Sequence, residues 1–228
     1  MRVVIMGGTA GIGLATARSL TADGAEVIVT GRDQERLAAA EEYGLTAERV
    51  DGTDEDEVAA FFARTGGFEH LVLAFSSGAV GLGPIKDTKL ADVRAAFDGK
   101  LFSYLFALQH AQVTGSVTLV SAASARANLP GSVALAAVNG AVERIVPPLA
   151  AELAPVRVNA VSPGVIDTGW WSFLPDEQRA AQFSAAAAQV PAQRVGVPED
   201  VAHAIRYAIG ADFVTGTILP VDGGFTFA

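Results

Sequence analysis

Several absences narrow the possibilities for this sequence before any motif is considered. It contains no cysteine, which excludes a disulfide framework and a cysteine metal site. Its three histidines, His70, His110 and His203, lie far apart and form no ligand pair at helical spacing, so we predict no metal site. No repeat of fixed period and no Pro/Gly/Ser-rich linker divides the 228 residues, which predicts a single domain spanning 1–228.

Positive charge and long apolar runs are also scarce. Sixteen basic residues face 25 acidic ones, for a net charge of −9, and the basic residues are scattered. Such a chain repels nucleic acid, so no nucleic-acid partner is expected. The N-terminal apolar stretch, residues 3–6, is too short for a signal peptide or a membrane span and ends in glycines. We therefore expect a soluble cytoplasmic protein with no membrane partner.

Short runs rich in β-branched residues alternate with amphipathic stretches along the whole chain. Continuous apolar runs of this kind are typical of parallel strands that are covered on both faces. The predicted strands are 3–6, 27–30, 49–51, 71–74, 117–120, 156–161 and 218–221. The predicted helices are 12–23, 33–42, 53–63, 88–113, 132–153, 175–189 and 198–209, with a kink expected at Pro147-Pro148. The alternation predicts an α/β fold: a Rossmann-type, doubly wound parallel sheet of about seven strands with helices on both faces.

A glycine-rich loop, Gly7-Gly8-Thr9-Ala10-Gly11-Ile12-Gly13, joins the first predicted strand to the first helix. Glycines permit the tight turn and the close approach of the backbone to a pyrophosphate, and the helix start presents free N–H groups to the anion. An ordinary tight strand–helix turn is the alternative. The placement of the loop predicts a dinucleotide site.

The second predicted strand ends in Thr30-Gly31-Arg32-Asp33. In dinucleotide-binding folds this position meets the adenosine ribose, where an acidic residue favours NAD and an arginine accommodates the 2′-phosphate of NADP. Arg32 therefore predicts NADP(H) rather than NAD(H). The alternative is a solvated surface arginine.

Three further segments reveal a family resemblance. They are Val50-Asp51, residues 157–168 (RVNAVSPGVIDT) and residues 214–224 (VTGTILPVDGG). With the glycine loop, they resemble the short-chain dehydrogenase/reductase family over about residues 2–225. The resemblance implies that the pyrophosphate and ribose are held by Gly7, Thr9, Ala10, Gly11, Ile12 and Gly13, and that Asp51 bonds the adenine amine. It also implies that the nicotinamide side is lined by Pro163, Gly164, Ile166 and Thr168, with Ala74 and Asn139 also at the cofactor. For the Pro163-Gly164 pair, a plain strand-ending turn is the alternative.

The chain departs from that family where the chemistry takes place. The family's catalytic set is Asn-Ser-Tyr-Lys, with tyrosine as the acid or base. The corresponding positions here are Lys100, Ala122 (next to Ser121), Leu135 and Asn139. None of the three tyrosines has a lysine four residues later, so no other alignment restores the Tyr–Lys pair. Because leucine cannot donate a proton, the family's usual mechanism cannot operate.

Two kinds of function remain open. In the first, the protein is an NADP(H)-dependent oxidoreductase with a rearranged catalytic site: Lys100 replaces the lost ammonium as acid or base, Ser121 orients a carbonyl, and Asn139 holds the nicotinamide ribose. The alternatives are a solvated helix lysine, a strand-end hydroxyl bonded to backbone, and a buried, satisfied amide. In the second, the protein is a catalytically inactive NADP(H)-binding regulatory or structural module.

The segment that follows Thr168 predicts the substrate side. Trp170, Trp171 and Phe173 would form an apolar lid within about residues 168–195, which predicts an apolar carbonyl or alcohol as substrate; a patch packed on the core or on a neighbouring subunit is the alternative. The two longest predicted helices are rich in apolar and small residues, and relatives of this type pair them across subunits. We therefore expect a homotetramer, with a dimer as the second choice.

Overall fold

The computed structural model describes residues 1–227. Seven parallel strands form one sheet in the order β3-β2-β1-β4-β5-β6-β7, which confirms the predicted Rossmann-type α/β fold in a single domain. The strands are β1 (Arg2–Met6), β2 (Glu26–Gly31), β3 (Thr46–Arg49), β4 (Phe68–Leu73), β5 (Val113–Val120), β6 (Arg157–Pro163) and β7 (Ile218–Val221).

The helices cover both faces of the sheet. They are α1 (Gly11–Ala22), α2 (Gln34–Glu41), α3 (Glu55–Thr65), α4 (Leu90–Phe97), α5 (Ser103–His110), α6 (Val133–Glu152), α7 (Asp176–Gln189) and α8 (Pro198–Gly210). A π-helical turn, Asp98–Phe102, joins α4 to α5, so the single helix predicted over 88–113 is divided in its middle. Pro147 and Pro148 do not interrupt α6, whose buried side chains Val142 and Val146 hold it on the sheet.

Alternate residues of the strands enter two cores. In β1, Val4 and Met6 pack with α3, α5 and α6, whereas Val3 and Ile5 pack on the opposite face with α1 and α8. Both sets are fully or almost fully buried. Because helices cover the two faces, the strand has no polar side, which explains the unbroken apolar run in its sequence.

The third strand was predicted at the wrong residues. The prediction was 49–51, but β3 is Thr46–Arg49, an edge strand without an apolar run. Val50 supplied the misleading signal: it is buried, and its N–H donates to the Gly31 carbonyl just beyond the strand. Asp51 consequently follows the carboxyl end of β3.

The two long predicted helices bear on the membrane and oligomer expectations, and α6 is the first of them. By length and a mean hydropathy of 1.3 it would suffice to cross a membrane, a test that core helices of soluble proteins also pass. Here α6 packs on the sheet through Val138, Val142 and Val146. The other long predicted helix, 88–113, also bears on the oligomer prediction: its Leu101 is buried in the protein's own core, whereas its Phe102 is exposed. The homotetramer stays a prediction.

Candidate active site

A cleft of about 820 Å³ opens at the carboxyl ends of the central strands, where the strand order reverses at β1. It brings together residues from distant parts of the chain, between Met6 and Phe225. The predicted site residues that line it are Gly7, Thr9, Ala10, Gly11, Ile12, Arg32, Asp51, Ala74, Lys100, Ser121, Asn139, Pro163, Gly164, Ile166, Thr168, Trp170, Trp171 and Phe173. Gly13 is the one predicted cofactor residue that does not line this cleft. Within residues 1–227, no cluster of three or more His, Asp or Glu side chains could hold a metal ion.

The glycine loop has the shape that a pyrophosphate requires. Gly7 has a φ of +80°, and a Cβ there would lie 2.9 Å from the Ala74 carbonyl oxygen. A Cβ on Gly13 would lie 2.2 Å from the Gly7 carbonyl oxygen, so Gly13 serves the packing of α1 against the loop. Ala10 precedes α1 without any side-chain capping bond, so the N–H groups of the first helical turn face the cleft unpaired by a cap. The cradle fits a dinucleotide diphosphate.

Elsewhere in the cleft, the Asp51 carboxylate is fixed as a hydrogen-bond acceptor. Its Oδ1 accepts from the Thr53 N–H at 3.0 Å and from the Thr53 hydroxyl at 2.7 Å, and Oδ2 lies 3.7 Å from Arg32 Nη1. Burial acts to raise the pKa of Asp51, but the Thr53 donors and then Arg32 together hold it below its usual value. Asp51 therefore stays ionised near neutral pH.

The guanidinium group of Arg32 is mostly exposed, with 62% of the side chain accessible, and it shares this end of the cleft with Arg36. Arg36 was missed by the sequence analysis, although its position in the first turn of α2, four residues after Arg32, was a usable signal. Asp33 caps that turn by accepting from the Arg36 N–H at 3.0 Å. Two arginines thus border the end of the cleft where the sequence analysis expects the adenosine ribose.

Lys100 lies in the π-helical turn and points into a buried polar network. A Cβ on the preceding Gly99 would lie 2.2 Å from Ser77 Oγ, so glycine lets the loop after β4 approach this turn closely. Lys100 Nζ donates to Asn139 Oδ1 at 2.7 Å and to the Ser121 carbonyl at 3.3 Å. Only 7% of the residue is exposed, which rules out the solvated-helix alternative. Burial lowers the pKa of Lys100 to about 7, against an opposing effect of the Glu143 charge.

Asn139 is fixed by its neighbours on both sides of the amide. Its Nδ2 donates to the Leu135 carbonyl at 2.9 Å and to Ser124 Oγ at 3.2 Å, while its oxygen accepts from Lys100. The amide is therefore buried and satisfied, which agrees with the alternative given for Asn139 in the sequence analysis. It also lines the cleft beside Lys100, where the ribose contact was expected.

Ser121 takes a different part from the one predicted. Its hydroxyl donates to Glu143 Oε1 at 2.9 Å, and its backbone carbonyl is the group that meets Lys100. The hydroxyl also lies 3.4 Å from the Val161 carbonyl oxygen, a backbone contact of the kind that the strand-end alternative describes. Both contacts direct it away from a substrate carbonyl.

Glu143 is the buried carboxylate that the sequence analysis missed. Leu135, Asn139 and Glu143 are spaced four residues apart on α6, so they share one face of the helix. That spacing from Asn139, in an otherwise Ala- and Val-rich helix, was the available signal.

The aromatic segment forms a compact turn beside the cleft. Trp170, Trp171 and Phe173 lie in a 3₁₀ turn, Gly169–Phe173, with ring centroids 4.7 to 6.1 Å apart. Trp171 Nε1 donates to the Ile166 carbonyl at 3.0 Å, and its ring meets Phe183 of α7 at 5.7 Å. The predicted lid segment therefore joins the cleft wall to α7, although Phe173 itself stays 45% exposed.

Comparisons with known proteins agree with this geometry. A family model described as Enoyl-(Acyl carrier protein) reductase matches residues 7–226. The chain is 34% identical to the cis-4-hydroxycyclohexanecarboxylate dehydrogenase of Sinomonas cyclohexanicum, over 98% of this chain and 95% of that protein. It is 28% identical to the L-2,3-butanediol dehydrogenase of Corynebacterium glutamicum, over 98% of each. The crystal structure of a small-chain dehydrogenase in complex with NADPH is similar at a TM-score of 0.88 and 31% identity, covering 100% of this chain and 99% of that one.

Proposed function

The chain belongs to the short-chain dehydrogenase/reductase family, and from that premise we propose that it is an NADP(H)-dependent oxidoreductase that interconverts an apolar carbonyl compound and its alcohol, with Lys100 as the proton carrier. Its curated relatives are named as dehydrogenases and reductases, which supports oxidoreductase chemistry in general.

One observation carries the finer proposal: the 2.7 Å hydrogen bond between Lys100 Nζ and Asn139 Oδ1. By the family resemblance, Lys100 stands at the position of the family's asparagine and Asn139 at the position of its lysine. The two residue types have therefore exchanged elements, and in this chain they are in direct contact. The site keeps an ammonium group, now supplied from the π-helical turn and not from α6.

Lys100 has the chemistry that the missing tyrosine would provide. When bound, the nicotinamide dinucleotide supplies or accepts the hydride. Asn139 and the Ser121 carbonyl take two of the three donor positions of Nζ, which leaves one for a substrate oxygen. The ammonium form donates a proton to that oxygen during reduction, and the neutral amine accepts one from an alcohol. With a pKa of about 7, both forms are present near neutral pH.

The preference for NADP(H) rests on Arg32 and Arg36. Both guanidinium groups line the adenosine end of the cleft, where they would pair with a 2′-phosphate, while Asp51 would accept from the adenine amine. The structurally similar dehydrogenase that was solved with NADPH supports this choice.

The substrate class follows from the composition of the cleft. Its charged side chains are Arg32, Arg36 and Asp51 at the adenosine end and Lys100 at the chemical end, whereas the remaining wall on the substrate side is largely apolar: Leu82, Leu129, Leu135, Trp170, Trp171, Phe173 and Leu174. Apolar rings and chains fit such a wall. Because one relative is named for a hydroxylated cyclohexanecarboxylate, alicyclic ketones with and without a carboxylate group are the first compounds to test.

The test combines a substrate panel with a matched pair of lysine variants. We expect NADPH oxidation with cyclic or aromatic ketones and aldehydes, and less with small charged carbonyl compounds. Lys100→Met should lower kcat/KM by about 100-fold or more while NADPH affinity is kept, because proton transfer is lost. Lys86→Met, at an exposed lysine outside the cleft, is the control. Equal turnover by the two variants would overturn the role of Lys100.

The second candidate, a cofactor-binding module without turnover, is favoured by Leu135, which leaves an apolar side chain where the family has its tyrosine. Tight NADPH binding with no oxidation by any member of the panel would select it.

A further inference from the structure

Glu143 is a buried charge that the proposed chemistry does not use. Its residue exposure is 9%, and it lies on a helix whose other buried residues are mostly alanine and valine. Placing an ionised carboxylate in such a setting is unfavourable unless partners compensate its charge. The groups that contact the Glu143 carboxylate therefore indicate its role.

Three groups meet the carboxylate. Oε1 accepts from Ser121 Oγ at 2.9 Å and from Ser162 Oγ at 2.7 Å, and Oε2 lies 3.2 Å from Arg126 Nε. Ser162 belongs to β6 and Ser121 follows β5, so one oxygen ties the carboxyl ends of two neighbouring strands together. Arg126 supplies the compensating charge from the loop after β5.

The same carboxylate reaches Lys100 through Ser121. The Ser121 carbonyl accepts from Lys100 Nζ at 3.3 Å, and the Ser121 hydroxyl is fixed by Glu143. The Glu143 charge also opposes the effect of burial on the pKa of Lys100.

We propose that Glu143 is the positioning residue of Lys100: it fixes Ser121 so that its carbonyl receives Lys100, and its negative charge favours the ammonium form of that lysine. The inference rests on the proposed role of Lys100 in turnover, but it concerns only the placement and protonation of that side chain.

The other charged or titratable groups around Lys100 leave this role to Glu143. Tyr104 of α5 donates its hydroxyl to the Phe75 and Val120 carbonyls, and burial raises its pKa, so it stays neutral. Arg126 pairs with Glu143 at 3.2 Å and so offsets the negative charge that Lys100 experiences. Removal of Glu143 and removal of Arg126 should consequently shift Lys100 in opposite directions.

The small number of lysines makes a direct measurement possible. The chain has three, Lys86, Lys89 and Lys100, so protein labelled with ¹³C at lysine Cε gives few resonances, and Lys100→Arg identifies the one from Lys100. The full-length, cofactor-free protein is titrated by NMR for the wild type and for Glu143→Gln, Arg126→Gln and Glu152→Gln. Glu143→Gln keeps an oxygen for the two serine hydroxyls while removing the charge.

We expect the midpoint of Lys100 to fall by roughly one pH unit in Glu143→Gln and to rise by a smaller amount in Arg126→Gln. Glu152→Gln, at an exposed carboxylate on the same helix, should leave the Lys100 midpoint unchanged. The midpoints of Lys86 and Lys89 should be the same in all the variants. An unchanged midpoint in Glu143→Gln, or shifts of the same sign in both variants, overturns the proposal. If Glu143→Gln does not fold, Arg126→Gln decides: a rise supports the proposal and no rise overturns it.

The titration uses neither cofactor nor substrate, so it separates the two proposals. Opposite shifts in a protein that turns over no carbonyl compound would support the role of Glu143 and reject the function proposed for Lys100.

Discussion

The cleft has a dinucleotide half, around the glycine loop and Arg32, and a chemical half, around Lys100 and Asn139. The two halves differ in whether backbone or side-chain groups determine their geometry. The dinucleotide half depends on the backbone: a Cβ on Gly13 would lie 2.2 Å from the Gly7 carbonyl oxygen, and the first turn of α1 has no side-chain cap. The chemical half depends on side-chain groups that facing elements can supply. Lys100, from the π-helical turn, forms a hydrogen bond with Asn139, from the facing helix α6. A backbone requirement allows little substitution, whereas a side-chain group can move to the opposite element.

The largest expected effect comes from placing lysine at both position 100 and position 139 of the chemical half. Asn139→Lys would bring a second ammonium group against Lys100 in a buried site, and we expect the free energy of unfolding to fall by about 3 kcal/mol. Adding Lys100→Asn moves the charge to the other element and should restore most of that loss. Urea unfolding of the two single variants and the double variant gives the cycle. Simply additive losses would show that the two positions are not interchangeable.

A smaller effect is expected from the dinucleotide half. Arg32→Ala should weaken NADPH binding about tenfold and change NADH binding little, because only NADPH carries the 2′-phosphate. The loss of its 3.7 Å contact with Asp51 should add little, since the arginine is mostly exposed. Calorimetric titration measures both affinities, with Arg64→Ala, an exposed arginine outside the cleft, as the control. Equal losses for the two dinucleotides would remove the argument for NADP(H).

The comparison also shows which features could be predicted from the sequence. The glycine loop and the central strands were predictable because glycine spacing and apolar runs are local consequences of backbone geometry. The edge strand β3 was not, since Thr46–Arg49 carries no apolar signal and the buried Val50 follows it.

In the chemical half, the positions of Lys100 and Asn139 followed from the family resemblance, but their partners did not. The Ser121 hydroxyl was expected to meet a substrate and instead donates to Glu143, a contact across 22 residues that no local pattern encodes. Glu143 shares a helical face with Asn139, yet only the packing of α6 on β5 and β6 shows that this face carries a buried charge.

The pH dependence of carbonyl reduction tests the central claim, proton transfer by Lys100, most directly. The reduction needs the ammonium form, so kcat/KM for NADPH-dependent reduction should be level below a pKa of about 7 and fall about tenfold per pH unit above it. Oxidation of the corresponding alcohol should show the reverse, rising with pH up to that pKa and then levelling. A reduction rate that stays constant from about pH 6 to pH 9 would contradict the account, because Lys100 would then not be the group that gives up the proton.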